Sequence, residues 1–343
     1  MKRPDAPPRS SPSPLGACCA DGGSQPLPAG ACAVRVALVG QPNVGKSTVF
    51  NLLTGLNQHV GNWPGKTVER KEGIHHCDGA DIQIVDLPGT YSLTANSLEE
   101  RITRDYIIHE RPDVVVMVAD AASLERNLYL LSEILCLPTP VVLALNMVDV
   151  AQQQGLGIEP HVLEAALGLP VVPMVASKNQ GVRELVDTVL RVSREGPRGV
   201  CRPDIREDHR EVLAEIAGLI AGSVPEPYPE DWVALKMLEG DEEITEMMRA
   251  HLAPPQWEQV HRVLMRHEDA ILAIAGGRYE WVRRMTRTAL TVPKAGQITL
   301  TDRIDKVATH PIWGLFVLLG VLGAIFSLTY TIGSPIQVFL DRY

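Results

Sequence analysis

The string Gly40-Gln41-Pro42-Asn43-Val44-Gly45-Lys46-Ser47 follows the β-branched run Val34 to Val39 directly and opens into an apolar helical run through Phe50, Leu52 and Leu53. That is the G-x-x-x-x-G-K-[ST] spacing in the strand, loop, helix context it requires. Such a loop constrains the fold strongly, because it works only where a strand ends against the N-terminus of the next helix. Glycines at its ends let backbone N–H groups turn inward and cradle phosphate oxygens at the positive end of the helix dipole. Lys46 is expected to reach the β and γ phosphates and the Ser47 hydroxyl to bind magnesium. Gly40, Val44, Gly45 and Thr48 complete the lining.

The rest of the first two hundred residues fits that constraint. Short apolar runs at Ile82 to Val85, Val114 to Val118, Val141 to Leu145 and Val171 to Met174 alternate with helix-length segments. This rhythm predicts an α/β fold with a mostly parallel sheet flanked by helices. From about Asp204 to Leu290 the strand signals vanish, and Val212 to Ile220, Asp231 to Glu239 and Val260 to Ile274 show helical spacing between Pro-rich joints. A small all-helical domain follows from that, with Trp232, Trp257 and Trp281 in its core. Ile312 to Ile332 carries no charge and is long enough to cross a hydrocarbon core of roughly 30 Å. Trp313 and Tyr330 stand near its ends, and Arg303 and Lys306 precede it, as where the preceding domain stays cytoplasmic. The competing reading of this stretch is a buried core helix. The organisation expected is a disordered tail over 1–32, the α/β domain over 33–200, the helical domain over 201–295, a linker over 296–311, a transmembrane helix over 312–332 and a short remainder over 333–343. The tail is rich in Pro, Ser, Gly and Ala and has too little apolar surface to offset the entropy of ordering. Leu15-Gly16-Ala17-Cys18 loosely matches a lipoprotein cleavage box, but no apolar run precedes it.

Composition excludes some functions. A net charge of −9 argues against a general nucleic-acid binder, which needs clustered Lys and Arg. Cys18, Cys19, Cys32, Cys77, Cys136 and Cys201 form no C-x-x-C pair and no disulfide framework, as in a reducing cytosol. His75-His76-Cys77 lies in a predicted strand, where neighbours point to opposite faces, so a shared metal ion is the weaker reading.

Two more motifs complete a nucleotide site. Asp86-Leu87-Pro88-Gly89 stands straight after the strand Ile82 to Val85, with Asp86 placed to hold magnesium and the Gly89 amide to sense the γ phosphate. Asn146-Met147-Val148-Asp149 ends another strand. The Asp149 carboxylate can accept both N–H groups of guanine, whereas adenine would set an acceptor against it. Met147 replaces the usual Lys there, at some cost in base stacking. Between the first two motifs, Asn62-Trp63-Pro64-Gly65-Lys66-Thr67-Val68-Glu69 is expected to order only around a γ phosphate and magnesium. Thr67 is the candidate switch threonine, with Gly65 and Lys66 beside it. The alternative is a surface turn with one exposed Trp. Together the motifs describe a Ras-like P-loop GTPase domain.

The chain resembles the ferrous iron transport protein B (FeoB) family. The resemblance rests on GQPNVGKSTVFNLLTG (40–55), GNWPGKTVE (61–69), DLPGTYSL (86–93), LERNLYL (124–130) and NMVD (146–149), then Arg278-Tyr279 and Asp302-Arg303-Ile304-Asp305. It covers roughly 34 to 343. It implies slow GTP hydrolysis to GDP and phosphate with catalytic roles for Lys46, Asn43, Thr67 and Gly89, GTP/GDP and Mg²⁺ as ligands, and gated or regulated Fe²⁺ uptake. Asn43 matches the Asn associated with potassium stimulation, so K⁺ joins the expected cofactors. Thr90 stands where many GTPases have a water-positioning Gln, and Glu125-Arg126-Asn127 is read as helix and switch packing. Val171 to Ala176 resembles the loop that closes over the base; Val175 replaces the common Ser, leaving contacts through the Val175 and Ala176 backbone. The helical segment resembles a spacer proposed to favour bound GDP and link the switches to the membrane. The implied location is the inner (plasma) membrane, with the GTPase domain cytoplasmic. The implied partners are guanine nucleotide, the membrane, the remainder of an iron-transport pore and small accessory iron-transport proteins, with an oligomer allowed and no nucleic acid. Family members continue through several more membrane helices. A lone helix cannot enclose a hydrophilic path, so either the chain is a fragment or the rest of the pore comes from a separate chain. The other readings are a nucleotide switch with negligible turnover and a soluble ribosome-assembly GTPase.

Overall fold

The structure is a computed structural model and describes residues 34–55, 58–77, 80–94, 97–196, 200–203, 207–291, 308–310 and 313–333. The N-terminal tail expected over 1–32, most of the linker and nearly all of the remainder over 333–343 lie outside the described residues.

The five apolar runs all form strands: β1 (Val34–Gly40), β4 (Ala80–Asp86), β5 (Val114–Asp120), β6 (Val141–Asn146) and β8 (Val171–Pro173). They join β2 (Gln58–Asn62) and β3 (Glu69–Cys77) in one seven-stranded sheet of order β2-β3-β4-β1-β5-β6-β8. Pairing is parallel from β4 through β8, and β2 and β3 form an antiparallel hairpin on the β4 side. The β3 strand contains His75, His76 and Cys77, and among the described residues no group of three His, Cys, Asp or Glu side chains is placed to hold an ion. β2 was not anticipated: Gln58-His59-Val60-Gly61-Asn62 is polar because its residues are exposed or half-buried.

Central strands are apolar at successive positions because helices cover both faces. Val36, Leu38, Ile84, Val116 and Val118 pack on α1 (Lys46–Thr54) and α6 (Val182–Glu195). Ala37, Val39, Val85, Val115 and Met117 face α2 (Leu98–Glu110) and α3 (Leu124–Ile134). On the Asn146 side of the sheet follow α4 (Val148–Gln153), β7 (Gly157–Ile158) and α5 (Pro160–Leu167).

The second core runs on into the helical region without a break. That region comprises α7 (Glu207–Ile220), α8 (Glu230–Leu238), α9 (Glu242–His251), α10 (Pro254–Arg266) and α11 (Ala270–Ala289). The helical run expected over Val260 to Ile274 is two helices, broken at His267 to Asp269: the His267 amide closes a turn on Leu264 and the chain restarts at Ala270. Trp232 and Trp281 are fully buried and Trp257 partly so. β9 (Leu290–Thr291) pairs with β7, stapling the end of α11 to the α/β portion. The apolar segment forms α12 (Trp313–Leu328), which runs into a wider final turn over Thr329–Gly333. None of the span Gly314–Thr331 is buried, which disfavours the core-helix reading.

Candidate functional site

The phosphate loop, Asp86, Asn146 and Val175 all lie at the carboxyl ends of parallel strands, where an open α/β sheet forms its ligand crevice. Backbone bonds tie the loops there: Leu87 N–H to the Leu38 carbonyl (3.1 Å), Thr90 N–H to Gly40 (3.2 Å) and Met174 N–H to Leu145 (2.9 Å).

Helix α1 begins after Gly45, whose φ of 87° lies in the left-handed region. Among the described residues no side chain caps this helix, so the first amides, from Lys46 to Thr48, face the loop rather than a capping oxygen. Such an end is an anion site. Ser47, Thr48 and Asn43 are exposed at the crest of the loop, and Val44 is buried beneath it. Asn43 has φ 68°, a conformation Asn tolerates better than most residues, and its side chain has no partner among the described residues.

Asn146 occupies the centre of the site. Its amide Nδ2 donates to the Val44 carbonyl at 2.9 Å, and its Oδ1 accepts from the Ala176 amide at 3.0 Å. One buried side chain therefore braces the phosphate loop against the loop after β8. The brace explains Gly45: a Cβ there would sit 2.4 Å from Asn146 Nδ2. Sequence reasoning assigned Asn146 to base recognition, and the structure adds this mechanical role.

Met147 stands at φ 60° and caps α4. Asp149 accepts from Lys178 Nζ at 2.7 Å and from the Val150 amide at 3.0 Å. The lysine hydrogen bond holds the Asp149 carboxyl below the usual carboxylate range, so it is an anion throughout the physiological range. Lys178 is a site residue that the sequence did not signal, because it lies in a separate loop. Val175 is buried and paired with Gln180 across a tight turn.

Asp86 pairs with the Lys46 ammonium, which also donates to the Leu87 carbonyl. The phosphate-loop lysine and the acidic residue that ends β4 are thus in one place. Gly89 lies against Pro42, where an added Cβ would come within 3.2 Å of the Pro42 nitrogen. Thr90 is buried and its hydroxyl donates to the Ser92 carbonyl at 2.6 Å, so it is turned inward.

The segment Asn62 to Glu69 forms a folded turn anchored by an apolar contact. Trp63 is buried rather than exposed, edge-on to Tyr106 at 5.6 Å with the Arg70 guanidinium over its ring. Its amide and carbonyl bond Val68 and Lys66. Gly65 takes φ 67°, and Thr67 is exposed at the tip.

Two buried arginines join the site to the helical region. Arg278 of α11 meets Glu133 of α3 at 3.2 Å and pairs with Glu239, which in turn holds Lys236 at 2.8 Å. The other Glu133 oxygen accepts from the Leu93 amide at the end of the DLPGTYSL segment. Burial alone would lower the Arg278 pKa, but Glu239 and Glu133 outweigh it and raise it. Arg104 of α2 is fully buried between Asp241 (3.4 Å) and Glu243 (2.8 Å). The only sequence hint of Glu133 was a carboxylate on the apolar face formed by Leu130, Leu131 and Ile134. Arg126 lies over the Tyr91 ring, its carbonyl holds Gln41, and buried Asn127 bonds the Ser123 carbonyl, which is a packing role.

The fold and the site define a Ras-like P-loop GTPase domain with an attached helical domain and one apolar helix of spanning length. Profiles of two families match: ferrous iron transport protein B over residues 34–189, and the FeoB cytosolic helical domain over 207–291. The chain belongs to the ferrous iron transport protein B (FeoB) family. It is 35% identical over 323 residues to the Fe(2+) transporter FeoB of Escherichia coli K12, covering 90% of this chain and 40% of that protein. It is 34% identical over 315 residues to the Fe(2+) transporter FeoB of Methanocaldococcus jannaschii, covering 90% and 47%. The chain therefore spans less than half the length of these relatives. Among solved structures, a GDP-bound NFeoB variant of S. thermophilus matches with TM-score 0.69 and 34% identity, over 75% of this chain and all of that one. The cytosolic domain of the T. maritima FeoB iron transporter in a GDP form matches with TM-score 0.67 and 33% identity, over 76% and 100%.

Proposed function

We propose that this chain is a membrane-tethered GTPase that hydrolyses GTP to GDP and phosphate and gates or regulates Fe²⁺ uptake. The observation that carries the reading is the Asn146 brace, which fixes the phosphate loop and the loop after β8 around one crevice with Asp149 at its rim. The amides at the start of α1 and the Lys46 ammonium bind the phosphates. Asp149 reads guanine through two charge-assisted hydrogen bonds, with Val175 and Ala176 closing over the base.

The donor set suits Mg²⁺, a hard cation that prefers oxygen: the Ser47 hydroxyl and Asp86 carboxylate, joined by Thr67 from the switch turn. Magnesium would neutralise charge on the β and γ phosphates. The Asn43 amide oxygen at the loop crest suits K⁺. Within the chain, Lys46 offsets charge on the transferred group, and the Gly89 amide donates to a γ-phosphate oxygen. Water attacks the γ phosphorus and gives one proton to a γ-phosphate oxygen, the bond from that phosphorus to the β–γ bridging oxygen breaks with its electron pair leaving on GDP, and GDP and dihydrogen phosphate result.

The G domain is assigned to the cytoplasmic face of the inner (plasma) membrane, with α12 as the tether. The remainder of an iron-transport pore is the partner this reading requires, and small accessory iron-transport proteins are compatible with it. Loss of labelled-GTP binding in Lys46→Ala is the expected result; full affinity in that variant would defeat the assignment. A regulatory switch with negligible turnover is favoured by one observation, the inward-turned Thr90 hydroxyl, which leaves no side chain there to orient water. Turnover compared in K⁺ and Na⁺ separates the two: a rate near zero in both supports the switch.

A further inference from the structure

The chain is acidic, yet its charge is unevenly spread. Residues 283–312, leading from the second half of α11 to α12, hold Arg283, Arg284, Arg287, Lys294, Arg303 and Lys306 against Asp302 and Asp305. This stretch is net +4 in a chain of net −9. The three arginines on α11 are exposed, and among the described residues none has an ion-pair partner. They differ in this from Arg104 and Arg278, which are buried against carboxylates. They line a shallow surface of about 520 Å³ with Trp281 and Thr288, where Glu280 is the one carboxylate among the lining residues.

Position adds to charge. The β7–β9 pairing attaches the C-terminal end of α11 to the α/β portion, so the arginines sit on an element anchored to the domain that carries the nucleotide crevice. Only residues 292–312 separate β9 from the apolar helix, a tether that spans at most about 75 Å when fully extended. A tether of that reach keeps the local concentration of bilayer surface high at the arginines. Clusters of Lys and Arg beside a spanning helix on the cytoplasmic side are attracted to anionic lipid.

We infer that Arg283, Arg284 and Arg287 form a docking surface for anionic phospholipid headgroups, which orients the GTPase domain against the leaflet from which α12 emerges. The inference rests on the reading of α12 as a membrane span. Each guanidinium can fork onto phosphate oxygens, and the pull is about fivefold in surface affinity per arginine, of order a hundredfold for three.

The test uses the full chain in lipid nanodiscs of phosphatidylcholine alone or with about one-third phosphatidylglycerol, matching the range where surface charge acts. Arginine modification by phenylglyoxal is followed by mass spectrometry, with exposed Arg262 on α10 as internal control. The expected result is modification of Arg283, Arg284 and Arg287 slowed about tenfold or more by phosphatidylglycerol, with the protection lost at about 1 M salt, where the Debye length falls to about 3 Å. Arg262 keeps its rate in both. Equal rates in the two lipids overturn the inference while leaving the span intact. Protection of equal size in both lipids that fades on dilution points to a second copy of the chain and also overturns it. A chain that does not enter the discs removes the span itself.

Discussion

Replacing Arg278 by Met probes the contact that ties the DLPGTYSL segment to the helical domain. The substitution keeps an unbranched chain of similar length, so the hole it leaves is small and the effect is chiefly electrostatic. Glu133 is 2% exposed and would lose its direct ion-pair partner, keeping only the longer-range attraction of Lys236; Glu239 would keep its contact with Lys236. Breaking a buried pair by removing one partner costs about 3–5 kcal/mol. For a cooperative unit of this size each kcal/mol lowers Tm by about 2–4 °C, so the expected fall is roughly 6–20 °C. Differential scanning calorimetry on the detergent-solubilised chain measures it. The partner experiment is the cycle with Glu133→Met. Because the double variant removes both members of the pair, it is expected to cost less than the sum of the singles by at least about 1 kcal/mol. Glu133→Met also leaves the Leu93 amide without its acceptor, so GDP dissociation is expected to change in that single variant. A fall in Tm under about 2 °C, or strict additivity in the cycle, would refute the claim that a buried ion pair joins these elements.

Other outcomes follow from the same geometry. Asn146→Ala leaves the Val44 carbonyl and the Ala176 amide without partners, at about 1–3 kcal/mol each, and calorimetry is expected to show both lower stability and weaker GTP binding. Gly45→Ala places a methyl group 2.4 Å from Asn146 Nδ2 in a left-handed conformation, so nucleotide titration is expected to show a loss in affinity of at least about tenfold, equivalent to 1.4 kcal/mol. Asp149→Asn exchanges an anionic double acceptor for a neutral amide, and the GTP-over-ATP preference is expected to fall by about tenfold or more in competition binding. Burial, then Glu110, pushes the Tyr106 phenol up to about 12 from 10.0. Its folded pKa lies above the unfolded one, so the stability it contributes is intact below pH 10 and is lost as pH rises toward 12; alkaline denaturation followed by Trp fluorescence is expected to show a smaller loss over that window in Tyr106→Phe.

The site was largely legible because its chemistry is local. A phosphate cradle must be built from consecutive amides, so Gly40 to Thr48 carries its own signature, and Asp86 and Asn146 are announced by the apolar strands they terminate. The strands themselves were readable as β-branched runs. Polar β2 was not, because a half-exposed hairpin strand has no apolar face to reveal it. The burial of Trp63 is illegible for a related reason: the ring's fate depends on Tyr106 and Arg70, which share no pattern with it in the sequence. The break between α10 and α11 was missed because apolar spacing continues across it while the backbone turns.

By itself the sequence determined the nucleotide loops, the order of the sheet-forming runs, the helical character of 207–289 and an apolar stretch of spanning length, since each depends on neighbours along the chain. Tertiary structure alone decided that Asn146 braces two loops, that Lys178 holds Asp149, and that Glu133 joins Leu93 to Arg278. These contacts pair groups as far apart as 145 positions. Burying a charge or an amide is tolerable only where a partner waits, and where that partner waits is a property of the folded surface.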